Sequence, residues 1–179
     1  MRRIIYILAN VILSAIIFAS CSGVDEENTV NGFEYVDLGL PSGTKWATSN
    51  IGAKSPESAG SYFAWGEISE SNYTEAECET CNLSVADLTK HEIIKSLRLT
   101  ADYDAATYNM GIGWQTPTKQ QYEELKTNCT WMWQDKPSGY KIVAKNGKSI
   151  FLPTTGYMSN GGNPNYANQG FYWTSEVES

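Results

Sequence analysis

One stretch of sequence decides the fold of this protein, and it reads Gly113-Trp-Gln-Thr-Pro-Thr-Lys-Gln-Gln-Tyr-Glu-Glu-Leu125. Thr118 and Gln121 stand three residues apart, the spacing of a capping box, in which each side chain bonds the backbone N–H of the other residue. Pro117 prevents the helix from beginning earlier, because the residue before a proline is kept out of the helical region. The pattern therefore predicts a helix that begins directly after Thr118.

The apolar residues of this helix recur at helical spacing, and then the period changes. Tyr122, Leu125 and Cys129 stand at positions i, i+3 and i+7, so they form one stripe on the helix surface. From Thr130 to Trp133 the side chains alternate with a period of two, which is typical of a strand. A short, capped helix that runs straight into an aromatic strand predicts a helix packed on a sheet.

Turn residues and apolar periodicity mark further helices and strands. A short helix is predicted from Asp102 to Met110, because an aspartate at its start suits the helix dipole and Gly111 ends the pattern. The segment from Leu88 to Leu99 fits either a helix or a loop with a strand, and its periodicity leaves both open. The other predicted strands are Phe33–Leu40, Lys45–Thr48, Tyr62–Gly66 and Phe171–Thr174.

The clearest predicted hairpin has Asn146-Gly147 at its tip, the pair preferred in type I′ turns. The flanking strands are Tyr140–Ala144 and Ser149–Leu152. Counting outward from a type I′ turn sets Ile142 opposite Phe151. Apolar residues then occupy both faces, which indicates central rather than edge strands.

Composition allows one domain and argues against nucleic-acid binding. The chain of 179 residues contains 6 Trp and 11 Tyr, and such rings bury ~150–250 Å² each, so a core can form although aliphatic residues are few. The formal net charge is −7 and the pI is about 4.7. Phosphate binding needs clustered Lys and Arg, so we expect no nucleic-acid partner.

The N-terminus has the layout of an export signal. Residues 1–3 form a basic segment with two arginines, and residues 4–18 form an apolar run shorter than the ~20 residues that span a bilayer. Ala19-Ser20-Cys21 follows and resembles the lipobox of bacterial lipoproteins, whose cysteine becomes the lipidated N-terminus. An ordinary signal peptide with an incidental cysteine is the alternative. We therefore predict a signal peptide over 1–20, lipid on Cys21, an acidic flexible tether over 21–32 and a single domain over 33–179.

Three further cysteines bear on redox chemistry. Cys78 and Cys81 lie in a polar, irregular segment, and paired cysteines in an exported protein indicate disulfides. The alternatives are a redox-active C-x-x-C or half of a zinc site completed by His91 and Cys129. Zinc needs four ligands and the chain has one histidine, so we expect no metal site.

Three parts of the sequence match one family pattern. They are Tyr35-Val-Asp-Leu-Gly-Leu-Pro-Ser-Gly-Thr-Lys-Trp-Ala-Thr48, Tyr62-Phe-Ala-Trp-Gly-Glu67, and Asp104-Ala-Ala106 with Gly113-Trp-Gln-Thr-Pro-Thr118. Together they resemble the Fibrobacter succinogenes major paralogous domain, a group of exported bacterial proteins that is similar in turn to C-type-lectin-like and formylglycine-generating-enzyme folds. The resemblance implies an α+β, C-type-lectin-like domain, with two short helices packed on small antiparallel sheets and long loops.

The resemblance also bears on the disulfide partner of Cys129 and on the pairing of the first predicted strand. Ser49 stands where a family cysteine could partner Cys129, so Cys129 is either free or paired with one of the other two. Trp173 lies six residues from the end of the chain, whereas family members continue with further strands. We therefore expect a domain truncated at its C-terminus, with its closing strands missing and the Phe33–Leu40 strand left without its usual partner.

By analogy with lectin-like folds, the resemblance implies binding rather than catalysis. We expect a non-catalytic module on the outer membrane, facing the cell exterior or alternatively the periplasm, with a glycan or a cell-surface protein as ligand and no cofactor. The calcium motifs of C-type lectins are missing, because Asn163-Pro164-Asn165 has no carboxylate. Sugars stack on rings and bond to amides, so the candidate contacts are Tyr157, Asn160, Asn163, Asn165, Tyr166 and Asn168.

Two other functions remain open. A structural or adhesive surface protein with no small ligand fits the same sequence. An enzyme of the formylglycine-generating type fits less well, because that chemistry needs a reactive cysteine pair late in the fold and no cysteine follows Cys129. One histidine and scattered acids form no recognisable catalytic set.

Overall fold

A computed structural model describes residues 28–70, 78–80, 82–158 and 168–178 of the chain. Within these ranges the protein is α+β, with short helices and three small antiparallel sheets, which confirms the predicted fold class at this level. The helices are Val85–Lys90 (α1), Ala105–Met110 (α2) and Lys119–Asn128 (α3), and Ala101–Tyr103 forms a 3₁₀ turn. The strands are Thr29–Val30 (β1), Phe33–Val36 (β2), Trp46–Ala47 (β3), Ile94–Lys95 (β4), Arg98–Leu99 (β5), Cys129–Asp135 (β6), Ser138–Ala144 (β7) and Ser149–Pro153 (β8).

Helix α3 begins where the capping box predicts. The Thr118 hydroxyl accepts a hydrogen bond from the Gln121 N–H at 3.1 Å, and the Gln121 side chain accepts one from the Thr118 N–H at 2.9 Å. Leu125 is fully buried, and Tyr122 packs against the same core. The helix ends at Asn128 and β6 begins at the next residue, so the predicted change from helix to strand is also confirmed.

The main core lies on one face of the β6–β7–β8 sheet. Residues that lie opposite each other in antiparallel strands share a face. Trp131 lies opposite Ile142, and Ile142 lies opposite Ile150, so these three side chains point to the same side. That side packs against α3 and the N-terminal segment, and the buried core consists of Leu38, Leu40, Trp46, Leu125, Ile142, Ala144 and Ile150.

The register of the β7–β8 hairpin differs from the prediction by one residue. Ile142 lies opposite Ile150 rather than Phe151. Because side chains alternate along a strand, this shift moves Ile150 onto the core face and Phe151 off it. The prediction of central strands is confirmed for β7, whereas β8 lies at the edge of this sheet.

The reason for the shift is an extra residue in the loop. The Ala144 N–H donates to the Lys148 carbonyl at 2.9 Å, and the Gly147 N–H donates to the Ala144 carbonyl at 3.0 Å. The loop therefore has three residues, 145–147. Gly147 has a positive φ of 83° and Asn146 does not. This geometry matches a type I turn followed by a bulged glycine, so the predicted type I′ turn is wrong.

The N-terminal part of the described chain forms a sheet of order β1–β2–β3. The predicted pairing of β2 with a returning strand at Trp46 is confirmed. Residues 29–32, which lie within the range predicted as a tether, form a strand and a turn, and β2 pairs with β1 along one edge and with β3 along the other. The predicted loss of the usual C-terminal partner of this strand stays a prediction. Residues 37–40 are not part of the strand.

A second, smaller core forms around Leu88, Ile93 and Ile94. The segment from Leu88 to Leu99, which fits either a helix or a loop with a strand by sequence, contains the end of α1 followed by the β4–β5 hairpin. The chain near its C-terminus joins this hairpin, since the Leu99 N–H donates to the Ser175 carbonyl at 2.8 Å. The hairpin thereby links the C-terminal segment to the smaller core.

Helix α2 begins later than predicted because Asp104, and not Asp102, caps it. The Asp104 side chain is buried and accepts hydrogen bonds from the Thr107 N–H at 3.0 Å and the Thr116 N–H at 3.0 Å. The same carboxylate therefore caps α2 and fastens the segment that leads into α3. Gly111 ends the helix with a positive φ of 86°, as predicted.

The segments 62–66 and 171–174 are not strands, contrary to the prediction. They contact each other through indole rings. The Trp65 Nε1–H donates to the Thr174 carbonyl at 2.8 Å, and the Trp173 Nε1–H donates to the Phe63 carbonyl at 2.9 Å. Aromatic residues favour strands in general, but here their N–H groups bond the backbone carbonyls that a strand ladder would use.

Candidate functional site

An aromatic cleft of about 480 Å³ opens at one end of the β6–β7–β8 sheet. Five aromatic rings from α3, β6, β7 and the C-terminal segment line it. The rings belong to Tyr122, Trp131, Trp133, Tyr140 and Tyr172, and the lining is completed by Leu152, Pro153, Thr154, Asn168, Gln169 and Gly170.

The cleft is the continuation of the core face of the sheet. Two residues beyond the Trp131–Ile142 pair, Trp133 lies opposite Tyr140 on the same side. Ile142 is fully buried, whereas Trp133 is 47% exposed and Tyr140 is 41% exposed. One face of a single sheet thus passes from packed core to open surface, and its open end is aromatic.

The rings of the sheet hold each other in place. The Tyr140 ring meets Trp131 edge to face at a centroid distance of 5.6 Å and Trp133 in the same way at 5.1 Å. Such pairs contribute ~0.5–1.5 kcal/mol beyond the burial of their area. The Trp133 Nε1–H also donates to Asp135 Oδ1 at 2.7 Å, which fixes the indole plane. The open end of the sheet therefore presents a preorganised surface.

The facing wall is formed by the segment that contains residues 168–172. The Gly156 N–H donates to the Gln169 carbonyl at 2.7 Å, and the Tyr172 hydroxyl donates to the Pro153 carbonyl at 2.6 Å. These bonds attach the segment to the end of β8. Asn168 and Gln169 are both exposed, so amide groups lie at the border of the aromatic surface.

The two half-buried tyrosines of the cleft are neutral at physiological pH. Burial raises the pKa of Tyr172 to about 12, a hydrogen bond with Asn50 lowers it, and nearby Tyr62 raises it. Burial also raises the pKa of Tyr122, and Tyr172 adds to that effect. Both hydroxyl groups therefore keep their protons, and neither contributes a negative charge.

The structure describes two of the six predicted contact residues. Asn168 lines the cleft. Tyr157 is 39% exposed, and its ring meets Phe171 edge to face at 5.1 Å, but it does not line the cleft. The two residues are thus not brought together in one site. The other predicted contacts lie outside the described residues, and they are Asn160, Asn163, Asn165 and Tyr166.

The cysteines divide into a bonded one and a free one. Cys78 is disulfide-bonded. Cys129 is a free thiol, so of the two alternatives, free or paired with one of the other two cysteines, the first is observed. Burial and, to a smaller extent, Glu124 raise the pKa of the Cys129 thiol, while Lys145 lowers it, so the thiol is protonated at neutral pH. Cys81 and Cys21 lie outside the described residues.

A second cavity, of about 1110 Å³, has Trp46, Met110 and Tyr157 in its wall. The Nε1 atom of Trp46 is buried and has no hydrogen-bond partner in the described ranges. Polar side chains such as Asn50, Gln115 and Gln121 also lie in this wall. We favour the aromatic cleft as the recognition site, because its rings are held in edge-to-face contacts beside exposed amides.

Sequence reasoning missed Trp133 and Tyr140 as site residues. It used the alternation of Trp131 and Trp133 to predict a strand, and it placed Tyr140 at the start of a hairpin. The same alternation already puts both indoles on one face. What could not be read locally is where the packed part of that face ends, because Tyr140 and the Tyr172 segment meet it only in the folded chain.

Comparison with known proteins finds no relative: no protein-family model, curated protein or solved structure matches this chain. In the described part of the chain, no helix has the length and apolar character needed to cross a membrane. Within the same ranges, no three His, Cys, Asp or Glu side chains are grouped so that they could hold a metal ion.

Proposed function

We propose that this protein is a non-catalytic glycan-binding module, displayed on the outer membrane by a lipid on Cys21. The observation that supports the proposal is the aromatic cleft. Its exposed rings, Trp133 and Tyr140, lie beside the exposed amides of Asn168 and Gln169. Sugars stack their C–H faces on aromatic rings, and their hydroxyl groups bond to amides, so both kinds of group are present.

Two accessible rings suffice for weak but useful binding. Stacking on an aromatic side chain is worth ~1–3 kcal/mol per ring, by analogy with nucleic-acid bases. Two rings would therefore contribute about 2–6 kcal/mol, and about 4 kcal/mol corresponds to a dissociation constant near 1 mM. Many anchored copies on one cell surface would raise the effective affinity for a polymeric glycan by multivalency.

The C-type-lectin-like fold and the outer-membrane location belong to the same proposal. The observed α3 beside small antiparallel sheets is compatible with such a fold. The location rests on Ala19-Ser20-Cys21, and the first test is to replace Cys21 with Ser. We expect the variant to leave the membrane fraction, and an unchanged distribution would refute the anchor.

Binding is tested with the purified full-length protein in detergent on a glycan array. We expect Trp133→Ala and Tyr140→Ala each to weaken the retained glycan about tenfold, since loss of one ring removes roughly 1.4 kcal/mol or more. Met132→Ala is a matched control, because Met132 is 51% exposed on the opposite face of the same strand. Tyr108→Ala controls for loss of an exposed tyrosine elsewhere, since Tyr108 is 63% exposed.

Two results would contradict the proposal. The first is retention of no glycan by the wild-type protein. The second is equal weakening by the Tyr140 and Tyr108 substitutions, which would separate binding from the cleft. Circular dichroism of each variant shows whether its fold is intact.

Adhesion without a small ligand is the second candidate, and one observation favours it. Phe171 and Trp173 are 48% and 56% exposed, and with Tyr157 they add exposed aromatic surface outside the cleft lining. Exposed apolar surface of this kind is common at protein–protein contacts. Binding to cell-surface proteins that is lost in Phe171→Ser and kept in Tyr140→Ala would support adhesion instead of glycan recognition.

A further inference from the structure

The charge of the cleft surface bears on which glycans it can accept. Every described residue that lines the cleft has a side chain that is uncharged at neutral pH. Given the proposed function, on which this step rests, we infer that the cleft selects uncharged saccharides and rejects saccharides that carry carboxylate groups.

Rejection follows first from desolvation. A carboxylate that enters an aromatic cleft loses bound water, and this cost is recovered only when a cation or several donors replace that water. The described lining contains no lysine or arginine. Neutral hydroxyl groups have a much smaller cost, which the amides of Asn168 and Gln169 can offset with hydrogen bonds.

Asp135 adds a direct repulsion. It lies two residues after Trp133 on the same face of β6, and its Oδ1 is 2.7 Å from the indole Nε1. A ligand stacked on Trp133 is therefore close to a negative charge. Lys141 lies on the other face of β7, and Lys136 is exposed in the turn next to Asp135. Neither lysine lines the cleft, nor does Asp135, which acts on it through its contact with the Trp133 indole.

The whole molecule acts in the same direction. Its formal net charge of −7 repels polyanions at a distance, and this effect weakens as salt shortens the screening length to ~10 Å at 0.1 M. Stacking and amide hydrogen bonds between neutral groups respond little to salt. Salt dependence therefore distinguishes the two kinds of ligand.

The experiment uses matched glycans that differ only at C6, as an uncharged hydroxymethyl group or a carboxylate. Cello-, manno- and malto-oligosaccharides are compared with derivatives of the same oligosaccharides in which C6 is oxidised to a carboxylate. Binding to the full-length protein is measured by titration at 50 mM and 500 mM NaCl. We expect the neutral member of any bound pair to bind more tightly, with an affinity that does not depend on salt.

Asp135→Asn isolates the charge, because an amide oxygen can still accept the Trp133 N–H. We expect this variant to raise the affinity ratio of carboxylated to neutral glycan about fivefold, the effect of one unit charge about 4 Å away in water. Asp102→Asn removes one negative charge from the 3₁₀ turn, outside the cleft lining, and it should leave the ratio unchanged.

The outcomes separate the inference from the proposed function. Tighter binding of the carboxylated member, weakened by salt and by Tyr140→Ala, would overturn the inference and leave glycan binding in place. An equal ratio in Asp135→Asn and Asp102→Asn would also overturn the role of Asp135. Binding of no oligosaccharide of either kind would overturn both the inference and the proposed function.

Discussion

The dipeptide Asn-Gly forms the tip of two hairpins in this protein, and its backbone differs between them. In the first, Asn31 and Gly32 have φ values of 54° and 81°, and Val30 lies opposite Phe33, as in a type I′ turn. In the second, Gly147 alone has a positive φ, of 83°, and the loop gains a residue. The same dipeptide therefore forms the tip of two different types of turn.

The asparagine side chains show what selects the turn. The Asn31 amide donates to the carbonyls of Met110 and Ile112, at 3.0 and 2.9 Å, and so satisfies carbonyl groups at the end of α2. The Asn146 amide donates to the Asp37 carbonyl at 3.0 Å, while its oxygen accepts the Lys148 N–H at 3.0 Å. Each asparagine bonds a segment far along the chain, and these different partners stabilise a different backbone conformation at each tip.

The largest effect is expected for Asn31→Ala. This substitution removes two long-range hydrogen bonds and leaves an alanine at positive φ, so it should lower the free energy of unfolding by about 2–3 kcal/mol. Urea unfolding followed by tryptophan fluorescence measures the change. Asn31→Gly is the control, because it removes the bonds but tolerates the backbone. If the two variants are equally stable, the left-handed backbone at Asn31 carries no cost.

The two glycines should behave alike, in contrast to the asparagines. Both have positive φ, and a Cβ at either would meet no atom within 4 Å. Gly32→Ala and Gly147→Ala should therefore each lower the free energy of unfolding by about 1–2 kcal/mol, the cost of the backbone alone. The same urea titrations compare them. A difference above about 1 kcal/mol would show that one glycine has a further role.

A smaller loss is expected for Asn146→Ala. The variant loses one long-range hydrogen bond and a local one, but Asn146 does not have a positive φ, so no backbone cost is added. We expect the free energy of unfolding to fall by about 1 kcal/mol. A loss as large as that of Asn31→Ala would mean that the contact with Asp37 contributes more to stability than one exposed hydrogen bond does.

The smallest effect, and of opposite sign, is expected for Lys145→Pro. Lys145 occupies the second position of the type I turn, where a proline is favoured and restricts the unfolded chain. The free energy of unfolding, measured by thermal unfolding, should rise by about 0.5 kcal/mol. In a type I′ hairpin the same residue would pair in the strand and need its N–H. A clear loss of stability would therefore indicate the type I′ turn that the sequence predicts.

The candidate site could be predicted only in part. The alternation of Trp131 and Trp133 indicates a shared face, and the resemblance points to Asn168 in the last loop. The pairing of Trp133 with Tyr140 could not be foreseen, because it depends on the register between β6 and β7, which the turn at residues 136 and 137 sets. Tyr157 is predicted as a contact on the same grounds, but its ring packs on Phe171 outside the cleft lining.

The sequence by itself determined the features whose partners lie within a few residues. The Thr118–Gln121 capping box, the change from α3 to β6 and the glycine that ends α2 are of this kind, since their hydrogen bonds and periods are local. Only the tertiary structure decided the turn types, the register of β8 and the aromatic cleft. Each of these depends on contacts between distant segments, such as Asn146 with Asp37 and Tyr172 with Pro153. The free energy of such a contact has no counterpart in any local window of sequence, because it exists only after the segments have been brought together.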